Sequence, residues 1–140
     1  MVPNQRIQPK ILYKQPVGPE VRHLHLASRD HAVSQRFYET YFSFRFDTVF
    51  PRDGQAAATI LRSPSGFQIF LEGPSGERLP AWFHFGFFVE SAAACRELYD
   101  RMQRDQVPIV RPLVSEPFTN YFCADPDGHL VQVYFDPHAA

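Results

Sequence analysis

Tyr121-Phe122-Cys123-Ala124-Asp125-Pro126-Asp127-Gly128-His129-Leu130-Val131-Gln132 reads as a strand, a tight turn and a second strand. Pro126 presets the turn, and Gly128 supplies the conformation that closes it. The same punctuation, Ser63-Pro64-Ser65-Gly66, stands 62 residues upstream between Ala57–Leu61 and Phe67–Leu71. The correspondence extends outward from the turns. His23 and His84 are 61 residues apart, as are Asp30 and Ser91, and Phe37-Tyr38 matches Leu98-Tyr99 at the same offset. Asp30 precedes Val33, Phe37 and Tyr41, whose spacing predicts a capped helix of about three turns. Ser91 stands likewise before Ala94, Leu98 and Met102. Strands are expected at Val21–Ala27 and Phe44–Phe50 in the first half. In the second they are expected at Ala81–Val89, Val107–Val110, Thr119–Cys123 and Leu130–Phe135. Each half therefore reads βαβββ.

Neither half, at about 60 residues, buries enough surface to stand well alone. The expected fold is α+β: two βαβββ modules with mixed, curved sheets, paired so that a cavity forms between modules. The expected boundaries are an arm at 1–20, a first module at 21–72, a linker at 73–80, a second module at 81–136 and a tail at 137–140. Pro3, Pro9, Pro16 and Pro19 prevent a helix in the arm.

Composition narrows the function. The 140 residues carry 14 basic and 15 acidic side chains, which removes the basic excess of a nucleic-acid partner. No apolar run approaches the roughly 18 residues of a membrane span, and no signal-peptide core is visible at the N-terminus. Two cysteines, Cys95 and Cys123, are too few for a disulfide scaffold or a cysteine-based zinc site, so a reducing, cytoplasmic setting is expected. Both read as small buried apolar residues rather than nucleophiles. With 14 Phe and aromatics at 15%, the core or pocket should be rich in rings.

His23 seven residues before Asp30, followed by Ser34 and Phe37-Tyr38, resembles the opening of the vicinal oxygen chelate superfamily, and the 121–132 segment resembles its closing motif. That superfamily includes glyoxalases, extradiol dioxygenases, fosfomycin-resistance transferases and bleomycin-resistance proteins. The resemblance spans residues 21–136 and implies paired βαβββ modules, joined within a chain or across a homodimer. It also implies metal ligands on the first and last strands. His23 and His84 occupy the two histidine positions, Gln132 occupies the usual glutamate position, and Phe70 stands at the matching place of the first module. The implied cofactor is a divalent ion (Fe, Mn, Ni, Co or Zn), with no organic cofactor.

The departure from a carboxylate matters. Two imidazoles and an amide give a divalent ion no compensating charge, and the ligand set of a non-haem iron oxygenase is incomplete. Glu72, two residues beyond Phe70 on the same strand face, is the candidate replacement and the one catalytic candidate. His25 shares a face with His23 as a further ligand or supporting residue. Alternation places Trp82, His84, Gly86 and Phe88 on one face, and Leu130, Gln132 and Tyr134 on another. His25, Phe70, Trp82, Gly86, Phe88, Tyr121 and Tyr134 are the expected pocket wall, with Gly86 leaving room beside the rings. The turn aspartates and His129 are expected to face solvent, and His31 and His138 are not site candidates.

Three functions compete. The first is a metal-dependent enzyme acting on a small molecule with neighbouring oxygens: a lyase, isomerase or transferase, with dioxygenase chemistry disfavoured by Gln132. The second is a metal-free binder of the bleomycin-resistance kind, stacking an aromatic drug or natural product on its rings. The third is a chain whose site has decayed and which serves as a dimer partner. The sequence implies no nucleic-acid or membrane partner.

Overall fold

Two helix caps set the chain's local order. Asp30 sits extended and its carboxylate accepts from the Ala32 and Val33 amides, starting helix α1 (His31–Phe42). Ser43 ends that helix in the left-handed region at φ 59°, and the Phe44 amide returns to the Tyr38 carbonyl. Ser91 Oγ accepts from the Ala94 amide at 2.9 Å and starts α2 (Ala92–Arg104), with Arg101 and Arg104 in its last turn.

The computed structural model describes residues 18–138; the expected proline-rich arm falls, through residue 17, outside the described residues. In chain order the strands are β1 (His23–Ala27), β2 (Arg45–Arg52), β3 (Gln55–Arg62), β4 (Gln68–Glu72), β5 (His84–Phe88), β6 (Ile109–Val114), β7 (Thr119–Ala124) and β8 (Leu130–Phe135). They form two four-stranded sheets, ordered β1-β4-β3-β2 and β5-β8-β7-β6. In each, the first strand lies parallel to the last and the other pairs are antiparallel. His23 pairs with Gln68 and His84 with Leu130, so the sequence repeat is a repeat in space. The βαβββ reading therefore holds for both halves. β5 is shorter than expected, because the 80–83 segment turns, with the Phe83 amide on the Pro80 carbonyl. No helix among the described residues is long and apolar enough to cross a membrane.

Each sheet covers its helix with one face. Leu26, Ile69 and Leu71 pack behind the first sheet with Phe37, Tyr38 and Phe44; Val131, Val133, Tyr121 and Cys123 pack behind the second with Cys95 and Met102. Burial of such side chains stabilises by about 1.5–3 kcal/mol each before entropy is counted. Tyr121 thus departs from expectation. It is fully buried on the helix side, its hydroxyl on Met102 Sδ and its ring against Tyr99, because alternation along β7 turns Asn120 and Phe122 the other way.

The 125–129 turn is also not solvent-facing. Asp125, Asp127 and His129 are all buried, and they form the joint between modules. Tyr38 Oη donates to Asp125 Oδ2 at 2.7 Å, and Ser34 Oγ donates to Asp127 Oδ2 at 2.8 Å. The Arg29 amide donates to Asp127 Oδ1 at 2.9 Å. His129 Nε2 lies 2.7 Å from the Ala27 carbonyl, which only accepts, so this nitrogen carries the proton. Ser34 spends its proton on Asp127, so the neighbouring Ser28 hydroxyl, 2.7 Å away, donates to Ser34. Asp125 Oδ1 takes the Asp127 and His129 amides within its own turn. Beside this polar joint, Phe42 stacks on Phe87 at 3.8 Å. Burial raises the Asp125 carboxyl against the pull of its hydrogen bonds, and burial with Asp125 nearby raises Tyr38 well above the tyrosine range.

Tyr38→Phe leaves Asp125 Oδ2 buried without its donor, and denaturant unfolding should show a loss of about 1–3 kcal/mol. The folded Tyr38 hydroxyl has the higher pKa, so its contribution is complete below about pH 10 and declines as pH rises through the range where the unfolded chain ionises. The alkaline fall in stability should therefore be shallower in Tyr38→Phe. Burial raises the Cys95 thiol to about 11 and the Cys123 thiol to about 12, and both cysteines are free. Iodoacetamide at mild pH should label neither in the native protein and both after unfolding.

Candidate functional site

The parallel pairing of first and last strands assembles the site. On the face of the first sheet turned away from α1, β1 contributes His23 and His25, and β4 contributes Gln68, Phe70 and Glu72. The His25 ring lies nearly flat on Phe70, 4.4 Å between centroids, while His23 sits 5.7 Å from Phe70 and edge-on to His25 at 5.3 Å. Glu72 does share this face, as its spacing from Phe70 predicts. Its Oε1 meets His25 Nδ1 at 2.9 Å, and Arg52 grips the same carboxylate through Nε and Nη2. The Arg52 bonds hold the Glu72 carboxyl below its usual range despite partial burial. Arg52 itself lies over Phe50, 4.8 Å from the ring centre. Glu72 is therefore a charge-paired anchor for His25. A cleft of about 470 Å³, lined by His25, Gln55, Glu72, Arg78 and Leu79, opens beside it.

The second sheet repeats the plan with different chemistry. His84 stands exposed at the start of β5, its ring edge-to-face with Phe122 at 5.1 Å. Its Nδ1 lies 3.3 Å from the Trp82 carbonyl, so that nitrogen donates, and in the neutral ring Nε2 holds the lone pair. Gln132 pairs with Gly86 in register, and its Nε2 donates to Asn120 Oδ1 at 3.3 Å. The amide carbonyl then turns toward β5, 3.6 Å from where a Cβ on Gly86 would sit. Gly86 leaves less room than its sequence context promises. The Tyr134 ring edge approaches to 3.0 Å of that same point, and Phe88 packs on Tyr134 at 5.5 Å. Trp82 lies outside the strand and is 77% exposed, so the alternation that would place it beside His84 does not reach it.

The donor set bears on a metal. His84 Nε2 and the Gln132 carbonyl lie on neighbouring strands of one face, and His23 holds the corresponding place on the other sheet. Among the described residues, no cluster of three His, Cys, Asp or Glu ligand atoms includes His23 or His84. The cluster that does form, Asp125, Asp127 and His129, has its ligand atoms within 4.8 Å of one another. Both its carboxylates and His129 Nε2 are already bonded in the joint between modules. The sequence reading missed Arg52, Arg111, Asn120 and Phe122. Alternation around Tyr121 carries a signal for Asn120 and Phe122 once the facing side is known. Arg52 and Arg111 lie past irregularities in β2 and β6 that alternation does not cross.

Comparison with known proteins agrees with this fold. A possible glyoxalase from Bacillus cereus superposes with a TM-score of 0.71 at 22% identity, covering 84% of this chain and 99% of that one. The trypanothione-dependent glyoxalase I of Leishmania major gives 0.69 at 18% identity, over 87% and 90% of the two chains. The genomically encoded fosfomycin resistance protein of Listeria monocytogenes gives 0.67 at 18%, over 87% and 95%. At these identities the likeness speaks for the fold. No curated protein matches the sequence. The family model for the glyoxalase/bleomycin resistance protein/dioxygenase superfamily matches residues 20–133, and the chain belongs to that superfamily.

Proposed function

We propose that the protein is a divalent-metal-dependent enzyme of this superfamily, a lyase, isomerase or transferase acting on a small molecule with neighbouring oxygens. The observation that carries this reading is the pairing of His84, its Nδ1 turned to the Trp82 carbonyl, with the oriented Gln132 carbonyl on one open face. His23, at the repeat-equivalent position, supplies a third donor when the first module of one chain faces the second module of another, as in a homodimer. Two imidazoles and an amide oxygen suit a borderline ion such as zinc, nickel or cobalt, held more weakly than with a carboxylate. Such an ion would act as Lewis acid toward the substrate's oxygens. The chain's own residues then orient and enclose: Asn120 fixes the Gln132 amide, the Trp82 carbonyl fixes the His84 ring, and Phe70, Phe88 and Tyr134 offer flat apolar surface. The two reduced, buried thiols suit a reducing cytoplasm.

A metal-free binder of aromatic ligands is the second reading. It is favoured by Glu72, whose charge is already spent on Arg52 and His25, and by the ring-rich open faces. Elemental analysis of protein purified without chelator separates the two. Near-stoichiometric metal is expected in the wild type, falling below about a tenth of an ion per chain in the His23→Ala/His84→Ala variant. Metal-free protein that takes up none of the five candidate ions gives the second reading the ground. Sedimentation at micromolar concentration should show a dimer; a monomer mass would remove His23 from the ligand set.

A further inference from the structure

The open faces of the two sheets differ in their carboxylates. On the first, two ion pairs form: Arg52 with Glu72, and Arg62 with Asp47 at 2.8 Å. On the second, the open-face residues that β5, β7 and β8 contribute, among them His84, Asn120, Phe122 and Gln132, include no carboxylate. Arg111 on β6 joins them, in register with Phe122, its guanidinium 4.9 Å from that ring's centre. Arg111, Phe122 and His84 thus form a continuous row across the sheet. No acidic side chain pairs with Arg111 among the described residues. A cleft of about 350 Å³ adjoins this row, and Arg78 from the inter-module segment lines it together with Arg111, Phe83 and Leu130. Asp127 also borders the cleft, but it is buried and both its oxygens are occupied by the Arg29 amide and Ser34.

We infer that Arg111, seconded by Arg78, is an anion-recognition subsite, and that the ligand is a small molecule with a planar apolar body and a carboxylate, phosphonate or sulfonate group. This rests on the reading that the open face of the second sheet is the ligand wall. A guanidinium held over a ring face by cation–π attraction keeps N–H donors available, and these match a two-oxygen anion. The phenyl platform removes water from one side of the cation, which strengthens the attraction. The same cation selects against positively charged aromatic ligands.

Two fluorescent probes of nearly one shape test this: anilinonaphthalene sulfonate, an anion, and phenylnaphthylamine, its neutral counterpart. Titrated at constant ionic strength, the wild type should bind the sulfonate more tightly than the amine. Arg111→Gln should weaken the sulfonate roughly tenfold and the amine by less than about twofold. Arg78→Gln/Arg111→Gln should weaken the sulfonate further, and Arg111→Lys should retain part of the preference. No preference in the wild type, or equal loss of both probes in Arg111→Gln, overturns the inference. Metal content separates it from the functional reading: Arg111→Gln should carry as much metal as the wild type, whereas a wild type without metal that still prefers the sulfonate retains the subsite and loses the chelate.

Discussion

Everything at the candidate site depends on one constraint: within each module the first strand must lie parallel to the last. A parallel neighbour requires a crossover, and here the helix and two intervening strands supply it. The consequence is that residues far apart in the chain, His23 and Phe70 or His84 and Gln132, come to share a face and nearly a level. Side chains on the opposite face, such as Leu26, Ile69, Val131 and Val133, are committed to the helix. The core and the site are thus two sides of one pairing, and a register slip of one residue would exchange them.

The two modules use this shared plan for different ends. The first sheet's open face is tied by its own ion pairs, with His25 held between Phe70 and Glu72 and the carboxylate held in turn by Arg52. The second sheet's open face is lightly bonded, with His84, Gln132 and Arg111 each oriented by one neighbour and otherwise turned outward. Repetition of the backbone has not preserved symmetry of charge.

The sequence discloses the backbone well because caps and turns are local. Asp30, Ser91, Pro126 and Gly128 act through their own conformations and nearest amides, and these need no tertiary information. The offset between halves then carries strand order. Site details are less legible, since they depend on long-range partners. Nothing near Glu72 in the chain announces Arg52, which reaches it across the intervening strand β3. Trp82 is misplaced by alternation because the turn after Pro80 ends the strand pattern early. The burial of Asp125, Asp127 and His129 escapes a composition-based reading altogether. An Asp-Pro-Asp-Gly turn has the look of a surface, and only the arrival of Tyr38, Ser34 and Arg29 from the other module makes it an interior.

That interior joint differs in kind from an apolar contact. Greasy surfaces tolerate sliding, whereas hydrogen bonds from Tyr38, Ser34, the Arg29 amide and His129 are satisfied together in one relative orientation. At Ser63–Gly66 the pattern is local: the Gly66 amide meets the Ser63 carbonyl, and the Phe67 amide meets Ser63 Oγ. A chain with an open face at each end resembles a link that accepts another link. If the angle between its ends wanders, copies add head to tail without limit; if it is set, assembly closes after a fixed number of copies. The polar joint at Asp125–His129 holds that angle, so in any assembly of this chain it would decide whether copies close or add without limit.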